Sequence, residues 1–216
     1  QAAQREATFL KNARYIFGRT EWDRNVTLMY NPERIYIEVN ELLRSDVYCH
    51  KWKGCISTKK IQLITTISAG IYKGYETLLQ TASLLKEHAT FDFEWCVAGY
   101  DEGNYWVRMS EQYTGLKSKE CNIRFLGWQD AESLCNNICN SDIYIQVSHI
   151  ENSPNALCEA MVIGVPIVAS FAGGTSSMLE NSKEGVLVQD GDPYAYAGAI
   201  IYLIKNPEKA TLMGKQ

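Results

Sequence analysis

The chain has 216 residues, 46% hydrophobic and 21% charged, an ordinary globular balance that excludes a disordered polypeptide. Its 21 basic against 25 acidic residues leave a net charge of −4, so no basic excess advertises nucleic acid or an anionic membrane surface. Seven cysteines, an odd number without a Cys-x-x-Cys pair, argue for reduced thiols and against a disulfide scaffold or a ribbon-type zinc site.

Residues 1–48 read as helix Ala3–Lys11, strand Ala13–Phe17, helix Glu21–Met29 and strand Arg34–Val39. Gln1 opens straight into this helical pattern, as in a piece cut from a longer protein. These elements are too few to bury a core, and their strands would leave unpaired edges, so self-association through residues 1–48 is expected. Asn40–Ser45 reads as the crossing to a second unit, residues 49–216. Early in that unit, Cys49-His50 with Cys55 supplies three ligands, one imidazole and two thiols, where a structural zinc site wants four, so no metal is expected there.

From Ile61 onward, apolar runs alternate with helical patterns. Strands are expected at Ile61–Ile67, Phe93–Ala98, Ile123–Leu126, Asp142–Val147, Pro166–Ala169 and Gly185–Val188. Helices are expected over 74–87, 105–114, 130–137, 154–163, 175–180 and 193–205, with Ser153 as an N-cap and Pro154 in the first helical position. Strict alternation of this kind implies an α/β fold: a doubly wound, Rossmann-like parallel sheet with its ligand at the carboxyl ends of the strands. No apolar run approaches the ~18–20 residues of a spanning helix, and residues 1–20 carry no signal-peptide pattern.

The most informative stretch runs from Ser148-His149-Ile150-Glu151 into a helix whose second turn carries Glu159. A helix N-terminus presents free N–H groups and a positive dipole end, a good place for a phosphate. A carboxylate one turn deeper serves sugar hydroxyls instead. Two acids flanking an anion site therefore suit a ligand with phosphates in the middle and hydroxyls at both ends, as in a nucleotide sugar. Taken singly, the same acids read equally as solvated surface. As an acid/base pair of a hydrolase they are poorly placed, since that chemistry needs opposed carboxylates across a glycosidic bond.

Glu151-x₇-Glu159 followed by Ala-Met-x-x-Gly-x-Pro resembles the donor-binding, C-terminal domain of retaining glycosyltransferases of family 4, which have the two-domain GT-B architecture. Tyr72-Lys73-Gly74, Val97-Ala98-Gly99, Phe125-Leu126-Gly127, Phe171-Ala172-Gly173-Gly174-Thr175 and Gly185–Val188 with Gly191-Asp192 match further elements of that family in order. The resemblance implies that Glu159 binds the ribose, Glu151 the transferred sugar, and Lys73 the diphosphate. Backbone N–H groups around Asn155, Ala156 and Leu157 would complete the phosphate site, with Gly173, Gly174 and Thr175 lining a second loop. It implies no cofactor and no metal, and a partner list of nucleotide sugar plus acceptor glycan or lipid-linked glycan, in cell-surface polysaccharide synthesis. Residues 1–48 would be the tail of an acceptor-binding domain, the fragment alone being inactive and the protein cytoplasmic, peripheral at most to the inner membrane face.

One departure stands out: the family's usual arginine five residues before the lysine is Ser68 here. Asp190-Gly191-Asp192 mimics a metal-binding Asp-x-Asp, but before Pro193 it reads as turn and N-cap chemistry. Arg19-Thr20-Glu21-Trp22-Asp23 reads either as a salt-bridged helix start or as a segment facing the interdomain cleft. A nicotinamide oxidoreductase is disfavoured because Ser68–Gly74 is not Gly-x-Gly-x-x-Gly. A non-catalytic nucleotide-sugar-binding module remains the alternative.

Overall fold

A computed structural model describes residues 1–40, 42–57, 59–68 and 70–216. The N-terminal part forms α1 (Ala2–Asn12), β1 (Tyr15–Gly18), α2 (Glu21–Tyr30) and β2 (Ile35–Glu38), with β1 and β2 paired in parallel as a two-stranded sheet. No residue of α1 is buried, and Phe9, Tyr15, Phe17 and Met29 are exposed. The unit has no core of its own, as its size dictates.

After a short helix α3 (Ser45–Tyr48), the chain runs through β3 (Lys60–Thr66), α4 (Tyr75–His88), β4 (Asp92–Ala98), α5 (Tyr105–Thr114) and β5 (Ile123–Gly127). It then returns through α6 (Ala131–Asn140), β6 (Ile143–Gln146), α7 (Asn155–Ile163), β7 (Ile167–Ser170), β8 (Val186–Val188), α8 (Pro193–Lys205) and α9 (Pro207–Met213). The six strands form one parallel sheet in the order β5-β4-β3-β6-β7-β8. Side chains alternate across it as the period of two requires. Ile61, Leu63, Trp95, Ile143 and Ile145 pack with α4 and α8 on one face, while Ile64, Cys96, Tyr144, Ile167 and Ala169 pack with α6 and α7 on the other. Both faces are covered, which is why the strands read as nearly continuous apolar runs.

The chain moves outward from β3 to β5, then jumps back to β6 on the other side of β3. The strand order therefore reverses between β3 and β6, and the two loops leaving their carboxyl ends diverge to open a crevice.

Two local expectations need correction, and two short helices were not expected. Pro154, not Ser153, is the N-cap of α7: it is extended, and its carbonyl accepts from the N–H groups of Leu157 and Cys158. Residues 175–180 form only a single 3₁₀ turn, Thr175–Ser177. Helix α9 restarts at Pro207 immediately after α8 ends, a position where proline opens a helix without losing a bond. Helix α3 is too short to show periodicity, yet its Val47 is fully buried in the α6/α7 core with Leu43 packed alongside. The packing of the second unit thus reaches back into the crossing segment.

Asp142, read from sequence as the opening of a strand, proves to be a fully buried anchor. Its carboxylate accepts from the N–H groups of Ser57 and Gln62, both at 2.6 Å, and pairs with Lys53 at 2.8 Å. Asp142→Ala would strand two donors and a lysine. At about 1–3 kcal/mol per unsatisfied buried group, it is expected to cost about 3 kcal/mol. Urea titration of both proteins checks this, and the thermal midpoint should fall by about 6–12 °C.

Candidate functional site

The loop leaving β3 ends in a 3₁₀ turn, Ile71–Lys73, that aims Lys73 into the crevice. The loop leaving β6 carries His149 and Glu151. The two loops are joined through the backbone, the N–H of His149 donating to the carbonyl of Tyr72 at 2.7 Å. Gly74, with φ +69°, lies so close to the Val147 carbonyl that any side chain there would collide with it. Held this way, Lys73 forms an ion pair with Glu151, both side chains largely buried.

His149 lies between two carboxylates: Nδ1 bonds Asp190 at 2.7 Å, from the turn after β8, and Nε2 bonds Glu76, from the first turn of α4. With an acceptor on each nitrogen, both must carry protons. The Glu76 bond, aided by Asp190 and opposed by burial, raises the imidazole to about 9. Burial pushes the Glu76 carboxyl up, but the bond and charge of His149, with the Glu76 N–H and the Thr77 hydroxyl, together hold that carboxyl below its ordinary value. One cation thus ties together the loops after β3, β6 and β8.

Helix α7 begins at the mouth of the crevice. The N–H groups of Asn155 and Ala156 lie in its first turn, outside the intrahelical ladder. Leu157 leaves the expected donor set, because its N–H is committed to the Pro154 carbonyl at 3.0 Å and its side chain is fully buried. One turn deeper, Glu159 is 4% exposed and accepts from Arg44, Nε to Oε1 at 2.7 Å and Nη2 to Oε2 at 2.8 Å.

The second glycine loop closes on the same place. The N–H of Gly174 donates to the Glu151 carbonyl at 2.8 Å, and Gly173, with φ +55°, abuts that carbonyl where no side chain would fit. Thr175, expected to line this loop, opens the 3₁₀ turn and is fully buried, its hydroxyl without a hydrogen-bond partner among the described residues. At the carboxyl end of β6 the Gln146 amide is buried, and neither of its polar atoms has a hydrogen-bond partner among the described residues.

The N-terminal unit docks here through the start of α2. Thr20 Oγ1 donates to Asn152 at 2.7 Å, the Glu21 N–H donates to Ser177 at 3.1 Å, and Arg19 Nη2 reaches Asn155 Oδ1 at 3.2 Å. At this helix start Thr20 and Asp23 form a reciprocal capping box and Glu21 pairs with Arg24 at 3.2 Å, while the same segment touches the loops beside the start of α7. Asp192 caps α8 as expected of turn chemistry, whereas Asp190 is the partner of His149. The crevice thus gathers Lys73, Glu151, Asn155, Ala156, Glu159, Gly173 and Gly174. Sequence reading missed Glu76, Asp190 and Arg44. The signal for Glu76 was an acid two residues past a glycine helix start, and Arg44 carried no local signal.

The sequence model of the family described as glycosyl transferases group 1 matches residues 40–216. The amylovoran biosynthesis glycosyltransferase AmsK of Erwinia amylovora is 26% identical over 137 residues, 61% of this chain and 33% of that protein. A D-inositol 3-phosphate glycosyltransferase of Corynebacterium kroppenstedtii is 27% identical over 146 residues, 66% of this chain and 32% of that protein. The chain therefore spans about a third of the length of these curated relatives. Among solved structures, sucrose-phosphate synthase from Thermosynechococcus elongatus superposes with a TM-score of 0.81 at 20% identity, over 97% of this chain and 54% of that one. Anabaena HepE in complex with UDP-glucose superposes at 0.76 and 16% identity, over 99% and 62%. At those identities the likeness is one of fold, and it covers both units. The family match spans most of the sequence and the whole six-stranded sheet, and the chain belongs to the glycosyl transferases group 1 family.

Proposed function

We propose that this chain holds the nucleotide-sugar site of a retaining glycosyltransferase that moves a sugar from a nucleoside diphosphate to a glycan or lipid-linked acceptor. The observation that carries this reading is the placing of the α7 N-terminus and Lys73 at the sheet's switch point, between Glu151 on one side and Glu159 on the other. Phosphates would lie at the N–H groups of Asn155 and Ala156, beside Lys73 and the Gly173-Gly174 loop. Ribose hydroxyls would meet Glu159, and the transferred sugar Glu151. Where the family arginine is replaced by Ser68, the Arg19 guanidinium beside Asn155 is the cation this chain offers.

In such a reaction the bond from the sugar's anomeric carbon to the diphosphate breaks, and negative charge grows on the leaving oxygen. Lys73 and the helix end stabilise that charge as it forms. The acceptor hydroxyl attacks the same face, and its proton passes to the departing phosphate oxygen. Lys73 must first exchange its bond to Glu151 for the phosphate, which frees the carboxylate for the sugar. Residues 1–48 would be the tail of an acceptor-binding unit together with its linker, and the rest of that unit would cover Phe9, Phe17 and Met29. AmsK, named for amylovoran biosynthesis, and HepE, solved with UDP-glucose, support a role in polysaccharide synthesis with a nucleotide donor.

Calorimetry with UDP and UDP-glucose tests the assignment. Both ligands should bind in the presence of excess chelator, because Lys73 and the helix end supply the positive charge. Glu159→Ala should weaken both by about 1.5–3 kcal/mol, the worth of a charged hydrogen bond. Glu151→Ala should weaken UDP-glucose more than UDP. Equal losses would remove Glu151 from the sugar, and loss of all binding in chelator would sink the metal-free site.

The His149 clamp adds a pH dependence. Its imidazole is raised from 6.5 to about 9 in the folded chain, so its contribution to stability is fully present below about pH 6.5 and is lost as pH rises through about 9. The thermal midpoint of the wild type should therefore fall between pH 7 and 10 relative to His149→Asn, which lacks the titrating group. Parallel curves for the two proteins across that range would show that the clamp carries no such charge.

A further inference from the structure

Arg44 belongs to the segment joining the two units, and its partner is the carboxylate assigned above to the ribose. Glu159 is almost wholly buried, where an unpaired charge would be very costly. Its two oxygens accept from one guanidinium at 2.7 and 2.8 Å, the fork arrangement that fixes the plane of a carboxylate as well as its charge. A carboxylate has about four lone-pair sites, so the pair still leaves about two for other donors. Arg44 therefore orients Glu159 without using it up.

The position of Arg44 is itself anchored. It is the extended residue before α3, with Leu43 packed on the α6/α7 core and Val47 buried within it. Farther on, Trp52 stitches the same segment to both helices, its N–H donating to the Ile163 carbonyl at 2.8 Å and its indole to the Ser141 carbonyl at 2.7 Å. The guanidinium is thus held over α7 by packing on both sides, while 40% of its side chain stays open to solvent.

We propose that Arg44 is a positioning residue of the donor site, setting the Glu159 carboxylate in the orientation that receives the ribose hydroxyls. This rests on the donor-site reading of the previous section. A lysine could supply the charge but not the fork.

The test compares ribose with deoxyribose. Affinities of the wild type for uridine, adenosine and guanosine diphosphates select the tightest nucleotide, which is then measured beside its 2′-deoxy counterpart. A hydroxyl held by a charged partner should make the deoxy ligand about tenfold weaker or worse in the wild type. In Arg44→Ala the ribose ligand should weaken by about tenfold or more, and the deoxy penalty should shrink to about threefold or less. A general structural role would weaken both ligands alike. Should Arg44→Ala fail to melt cooperatively, Arg44→Lys carries the same comparison, with its penalty also expected to shrink. An unchanged deoxy penalty in a folded variant overturns the role of Arg44, as does the lack of any such penalty in the wild type. Failure of the wild type to bind all three diphosphates would instead overturn the donor-site reading.

Discussion

Everything at the candidate site depends on the reversal of strand order between β3 and β6. Parallel strands need crossovers, and crossovers wind one way, so a chain that fills one side of β3 must return to fill the other. At that return the loops leaving β3 and β6 diverge, and the crevice between them is bounded by backbone. Lys73 and Glu151 come from those two loops, and Glu159 from the helix that follows the second. A one-residue slip of register would turn Tyr144 and Gln146 toward α4 and α8, and the loop geometry would go with them.

The crevice collects carboxylates, and each is balanced by a cation from another part of the chain. Glu151 meets Lys73, Glu159 meets Arg44, and Glu76 and Asp190 share His149. A buried carboxylate left without its partner would be costly, so each pair belongs to the structure of the crevice. The pairs differ in what they can release. Lys73 can swing from a carboxylate to a phosphate with little loss, as a point charge does. The fork of Arg44 and the doubly bonded imidazole of His149 are directional, so they would hold shape in the proposed exchange of Lys73 from Glu151 to a phosphate.

The sheet was legible because both of its faces are buried. Runs such as Ile61–Ile67 and Asp142–Val147 are β-branched and bounded by glycine or polar turns, and the helices between them carry clean periodicity. Glu151 and Glu159 drew attention through their spacing around a helix start together with the family resemblance of the segments around them. The clamp was not legible, because Glu76, His149 and Asp190 are each ordinary in their own surroundings and meet only when three strand ends are brought together. The local surroundings of Leu157 and Thr175 were not legible: the Leu157 N–H donates to the Pro154 carbonyl and both side chains are fully buried, neither of which spacing reveals.

The docking of the N-terminal unit follows from the same economy of helix ends. Helix α2 needs acceptors at its first turn, and its capping box supplies them internally through Thr20 and Asp23. That leaves the Thr20 hydroxyl proton and the Glu21 N–H for Asn152 and Ser177, one from each of the loops that frame the α7 N-terminus. The N-terminal ends of α2 and α7 are thus joined through a few polar side chains. Such an arrangement is unfavourable alone and favourable around an anion. The proposed diphosphate would relieve it, and in doing so would hold the two units together.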